Sequence, residues 1–292
     1  MQNRLAVNRT TTPTTVVYSP EAETRKMGLL IRSMWQDLKA SRELSWRLFV
    51  RDVSARYRQS LLGVLWAFVP PLITSLIFIV LQRRAVVNFG DTDIPYPAYV
   101  LVGTLLWQLF TDALNAPLRS VTAAKPMLAK INFPREALIV SAVYLVLFDL
   151  LIKLVIIAIV FVLFGLQPKW TMLFAPLPLL TLVLTGVAVG LLVTPLGVLY
   201  TDIATSLPVI VQLLFFVTPV VYVPPETFPF SIISYLNPVS PPLVAARDLI
   251  TTGRIDNLLP FVIVALLSLF LLFIGWVVYR VAMPIIIERM SA

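Results

Sequence analysis

From Ala137 to Phe164 only Asp149 and Lys153 carry charge in an otherwise apolar run. A helix needs about 20 apolar residues to cross a hydrocarbon core, so this stretch alone ties the chain to a bilayer. Further apolar runs fall at 61–81, 96–118, 171–200, 205–223 and 258–279. Together they predict six spans. Composition agrees: 59% of residues are hydrophobic, 13% are charged, and mean hydropathy is +0.89. Soluble domains are about a quarter charged. A β-barrel would show short alternating segments instead of solid runs. The expected fold class is an all-α integral membrane protein.

Charge sets the orientation. Of the 23 Lys and Arg residues, 17 lie on the side that holds both termini, five on the other, and Lys153 within a span. Basic residues mark the cytoplasmic side, so both termini are expected there. The net charge of +8 is read as anchorage at anionic lipid, with no nucleic-acid partner. The chain has no cysteine and no histidine. Thiolate nucleophiles, imidazole bases and Cys/His metal sites are therefore excluded, and no metal is expected. Residues 1–30 contain no apolar signal-peptide core.

Along the chain, residues 1–28 are polar and include TTTPTT, which predicts a mobile cytoplasmic tail. Residues 29–58 place Ile31, Met34, Trp35, Leu38, Trp46, Phe49 and Val53 on one helical face. That pattern predicts an amphipathic helix lying in the membrane surface, with Arg42 snorkelling from its apolar face. The membrane domain is expected over 59–282, followed by a cytoplasmic tail at 283–292. Pro70 and Pro71 fall in the middle of the first span, where they predict a kink. Gly186, Gly190, Pro195 and Gly197 predict a loosened fourth span. Between Pro224 and Asn257, the stretches Phe228–Leu236 and Leu243–Ile250 are too short to span. They predict a pair of short re-entrant or surface helices before the last span. No internal repeat is visible, which argues against a secondary transporter of inverted halves.

The segment Arg51–Pro71, RDVSARYRQSLLGVLWAFVPP, runs an arginine cluster straight into the first span. Arg51-Asp52, Arg56-Tyr57-Arg58, Ser60, Leu62-Gly63, Trp66 and Pro70 resemble the opening signature of ABC-2-type export permeases. That family includes the subunits exporting O-antigen, capsule and wall teichoic acid. KPMLAKINFPR at 125–135 resembles the family's loop between spans two and three. YLNPVSPPLVAARDL at 235–249 resembles its NP segment before the last span. Tyr200-Thr201-Asp202 is similar to its turn between spans four and five, with Tyr where a basic residue is common. The resemblance covers residues 30–285.

The resemblance implies a homodimer in the inner (cytoplasmic) membrane, with two copies of a separate ATPase beneath it. This chain has no GxxxxGK[ST] motif, so it holds no P-loop and binds no cofactor. ATP and Mg would be used by the partner. The implied cargo is an undecaprenyl-type lipid-linked glycan. Arg51, Arg56, Tyr57 and Arg58 are candidates for its pyrophosphate head group, since guanidinium pairs its N–H groups with phosphate. Topology and an aromatic belt alone also account for them. Lys125, Lys130, Phe133 and Arg135, with Asp202 in a second contact, are candidates for coupling to the ATPase. Phe215, Phe216 and Tyr222 are candidate glycan-pathway aromatics, flat rings on which sugars slide. Asp149 and Lys153, four apart on one helical face, predict a structural ion pair; a proton relay is the alternative. Asp112 has no partner in its own helix beyond Asn115. The rival functions are an ABC-2 exporter of a drug or lipid, a membrane transferase acting on polyprenyl-linked sugars, and an ATPase-independent channel or flippase.

Overall fold

The computed structural model describes residues 27–58, 63–84, 90–128, 130, 131, 133–224, 234, 236–255 and 258–291. All but the last two residues of the expected tail at 1–28, the start of the first span and most of Phe228–Leu236 lie outside them. Among the described residues every regular element is helical. These are α1 (Met27–Ala40), α2 (Arg42–Arg58), α3 (Val69–Arg83), α4 (Tyr96–Ala123), the single turn α5 (Lys125–Leu128), α6 (Glu136–Phe164), α7 (Pro176–Leu199), α8 (Thr201–Val217), α9 (Ser240–Thr251) and α10 (Leu258–Ser291). Short 3₁₀ turns precede α3 and α7.

Three helical stretches are long and apolar enough to cross a membrane: Glu136–Phe164, Trp170–Leu199 and Leu258–Arg289. Val69–Arg83 and Thr201–Val217 are apolar but shorter. At 1.5 Å per residue, α3 reaches roughly 22 Å. α4 has the length of a span, and most of its residues are buried by its neighbours. Outward faces carry exposed apolar groups, such as Leu151 and Val155 on α6 and Leu266 and Phe270 on α10. Such faces belong against hydrocarbon, where helices satisfy their own backbone groups.

α7 sits at the centre of the bundle, between α4 and α10. α4 and α7 meet on glycines: a Cβ at Gly190 would lie 2.3 Å from the Leu114 carbonyl oxygen, and one at Gly186 would lie 2.7 Å from the Ala113 Cβ. Small residues let helix backbones approach closely in a membrane. The glycines expected to loosen the fourth span therefore pack it, and α7 stays continuous through Pro195. Hydroxyl pairs tie further helices: Thr185 with Ser268 at 2.7 Å joins α7 to α10, and Ser75 with Thr104 at 3.0 Å joins α3 to α4.

Two expectations change at the start of the chain. The amphipathic stretch is two helices, not one. Ser41 donates its hydroxyl to the Leu38 carbonyl, and Ser45 donates to that of Ser41; such back-bonding bends helices. Met34 is buried, while Trp35 and Trp46 are exposed. Pro70 and Pro71 sit in the first turn of α3, not in its middle. Proline suits that turn because its missing N–H has no helical acceptor there. The 3₁₀ turn before it opens at Gly63, whose φ of 51° favours glycine. At the far end of the chain α10 continues to Ser291, so most of the expected tail is helical. The segment Leu243–Ile250 lies within α9, which packs on α7, α10 and α4.

Candidate functional site

One end of the bundle gathers the loops that the sequence offers for coupling. Lys125 Nζ donates to the Val198 carbonyl at 3.2 Å, tying the turn after α4 to the end of α7. Asp202 lies exposed in the first turn of α8, two residues beyond the α7 cap Tyr200. Lys130 is exposed, and Phe133 and Arg135 are half-buried. The Arg135 carbonyl accepts from the Tyr279 hydroxyl at 3.2 Å. Beside it Arg280 donates to Glu136, and its other nitrogen reaches Asp37 at 2.7 Å. Sequence reasoning missed this clasp of α1, α6 and α10, because its members are far apart in the chain.

Two of the three arginines before the first span are engaged within the chain. Arg51 donates to Asp52 at 2.8 Å. Arg56 donates to both oxygens of Asp149, at 2.8 and 2.9 Å, with its side chain 43% exposed. Arg58 is exposed. Tyr57 lies in α2, and its side chain is outside the described ones.

This geometry corrects the expected pair of Asp149 with Lys153. Lys153, 5% exposed, instead donates to Asp112 on α4 at 2.9 Å, and Arg119 stands 3.7 Å from the same carboxylate. The reason is rotamer direction: side chains four apart on α6 point towards two neighbours, α2 and α4, that each bring an opposite charge. Asn115 donates to its own helix at Thr111 and leaves Asp112 to Lys153.

A cavity of about 370 Å³ opens between α3, α4 and α8. Phe215 and Phe216 line it together with Trp107, Phe78, Gln108 and Gln212. Phe215 is 8% exposed and packs edge-on to Trp107 at 5.6 Å between ring centres, whereas Phe216 is 61% exposed. Tyr222 is not part of this lining. Its hydroxyl folds back onto the Val217 carbonyl at 2.9 Å.

The opposite end of the bundle is closed by Arg247 of α9, 1% exposed. It donates to the Pro219 carbonyl at 2.9 Å and lies over the Tyr99 ring at 4.0 Å. Tyr96 and Tyr99 donate to the carbonyls of Val221 and Tyr222. A basic residue in an apparent outer loop gave no sign of such burial. Among the described residues no group of His, Cys, Asp or Glu could hold a metal ion.

A helical bundle with membrane-length apolar helices and a lined groove at its edge is the frame of a transport permease. The ABC-2 type transporter family matches residues 43–251, and the chain belongs to that family. It is similar to the O-antigen export system permease protein RfbA of Myxococcus xanthus, 27% identical over 83% of this chain and 92% of the relative. An RfbA of Klebsiella pneumoniae is 26% identical over 70% of this chain and 79% of its own length. The polysialic acid transport protein KpsM of Escherichia coli is 25% identical over 80% and 91%.

Proposed function

We propose that this chain is the membrane-spanning permease of an ATP-driven exporter of lipid-linked polysaccharide, of the O-antigen or capsule kind. The observation that carries this reading is the likeness to three polysaccharide-export permeases over 79% to 92% of their length. In this reading α3, α4, α6, α7, α8 and α10 make six spans in the inner membrane, with both termini cytoplasmic and α9 capping the outer side. α1 and α2 lie in the inner surface, where the exposed Trp35 and Trp46 suit the headgroup layer. Two copies form the permease, and two copies of a separate ATPase hydrolyse ATP with Mg beneath it.

The coupling contact is the end where Lys125, Lys130, Phe133, Arg135 and Asp202 sit. Support comes from the Lys125 bridge, which makes the loops around it one body. Closure of the ATPases would push this body, and the groove between α3 and α8 would open to the polymer. The head group of the lipid is met at Arg51–Arg58. Arg58 is the stronger contact, since Arg56 is already held by Asp149. Arg58→Gln should lower export more than Arg56→Gln at equal membrane level.

The test is deletion of the gene with staining of surface and internal glycan. Loss from the surface with accumulation inside is expected. Unchanged surface glycan would refute polysaccharide export and leave a drug or lipid as cargo. Loss both inside and outside would favour a biosynthetic enzyme.

A further inference from the structure

The end of the bundle that holds α9 also carries an apolar turn that the chain leaves uncovered. Between Lys153 and Asp202 the sequence has a single charge, Lys169, so little in the link from α6 to α7 favours water. The link leaves α6 at Gly165, whose φ of 64° is left-handed, and enters the 3₁₀ turn Trp170–Phe174. Its two sides are unlike. On one side Lys169 Nζ donates to the Thr252 carbonyl at 2.5 Å, at the end of α9. Thr171 packs on Gly253, where a Cβ would lie 2.3 Å from the threonine hydroxyl oxygen, and Met172 packs on the core. On the other side Trp170 is 94% exposed, and Leu173 and Phe174 are exposed with it. This apolar side continues beyond the turn. Leu177 and Leu180 extend it along α7 at helical spacing, and Val162 is exposed near the end of α6.

A contiguous apolar surface of this kind marks an interaction site, and three observations make its occupant lipid. The surface is continuous with α6 and α7, both in stretches long and apolar enough to cross a membrane. It lies where these helices end, the level at which indole rings suit the boundary between headgroups and acyl chains. Its one cation, Lys169, is turned to the α9 carbonyl, so the exposed side offers no charge to a protein partner. We propose that the turn is a lipid anchor for the outer cap. Trp170 sits in the headgroup layer, Leu173 and Phe174 reach the upper acyl chains, and the opposite side of the turn ties α9 to that leaflet. The assignment rests on α6 and α7 crossing the membrane and is independent of the cargo.

The test uses the full chain, which has no cysteine of its own, with single cysteines carrying a nitroxide spin label. The purified permease is placed in nanodiscs of phosphatidylethanolamine and phosphatidylglycerol. Collision of the label with oxygen, which concentrates in the bilayer, is compared with collision with a water-soluble nickel chelate. Leu173→Cys should favour oxygen several-fold, as should Val162→Cys on α6, whereas Gln167→Cys in the link should favour the chelate. Adding Trp170→Ser to Leu173→Cys should raise chelate collisions several-fold, and Trp170→Tyr should keep them low; at 94% exposure neither change disturbs the core. Chelate access at 173 equal to that at 167 would overturn the anchor. So would an immobilised label that neither reagent reaches, because that marks a second copy or another protein on this face, and so would a Trp170→Ser variant without effect. If position 162 itself reads as water, the spanning of α6 fails. If gene deletion leaves surface glycan unchanged while these depths hold, the export reading fails and the anchor stands.

Discussion

Replacing Asp112 should damage this protein far more than replacing Asp149, although both are single carboxylates paired with a basic residue of another helix. Lys153 donates to Asp112 at 2.9 Å, and its side chain is 6% exposed. Asp112→Asn leaves that ammonium buried without a counter-charge. Breaking a buried pair in this way costs about 3–5 kcal/mol; the 25% exposure of Asp112 lets water temper it to roughly 2–3 kcal/mol. Asp149→Asn frees an Arg56 side chain that is 43% exposed, so water takes over and the cost stays under about 1 kcal/mol. Combining Asp112→Asn with Lys153→Met removes both charges. The double variant should recover about 1–3 kcal/mol relative to the sum of the single ones. Unfolding of the purified permease in detergent micelles, followed by loss of helical circular dichroism, reads the wild type, the three single variants and the double one. Equal losses in Asp112→Asn and Asp149→Asn, or strict additivity in the double variant, would refute this pairing and with it the placement of α6 against α4.

Gly190→Ala should destabilise the permease by about 1–3 kcal/mol, because its Cβ would lie 2.3 Å from the Leu114 oxygen; Gly28→Ala, with nothing within 4 Å, is the neutral control in the same unfolding assay. Arg247→Leu strands the Pro219 carbonyl and should loosen the turn beneath α9. In this cysteine-free chain a Val239→Cys probe should then react with maleimide several-fold faster, and an unchanged rate would count against the latch. Arg280→Gln should release α1 from the bundle, read as faster proteolysis within residues 27–40, while Arg280→Lys retains part of the contact with Asp37.

How far the sequence carried depended on the range of the interaction. The apolar runs at 137–164, 171–200 and 258–279 are local facts and match long helices. Pro70 and Pro71 misled, because a run of apolar residues hides where a helix begins. The 3₁₀ turn at Gly63–Ala67 uses apolar residues too. Helical spacing put Asp149 and Lys153 on one face correctly, but a face does not name its partner. Arg56 is 93 positions from Asp149, and Lys153 is 41 from Asp112. The clustering of Phe215 and Phe216, which line one cavity, was legible as neighbouring rings in sequence. The place of Gln108 in that lining was not, since an amide within a span carries no signal of what it faces.

The packing also says where this bundle can move. α4 and α7 pack almost backbone on backbone at Gly186 and Gly190, with no room for a methyl group, so neither can slide without parting the core. α3 and α8 are different. They are short, expose much of their apolar surface, and border the cavity. Widening of the groove therefore falls to them, and the Ser75–Thr104 hydroxyl pair at 3.0 Å is one contact that must yield. Ser75→Cys with Thr104→Cys would place two thiols, the only ones in the chain, at a separation a disulfide can close. Oxidation should lock α3 to α4 and lower surface glycan about tenfold or more, a change of at least about 1.4 kcal/mol in the opening step. Reduction should restore it. Full export from the oxidised, cross-linked permease would place the opening elsewhere, because a covalent tie at this contact leaves α3 no freedom to part from α4.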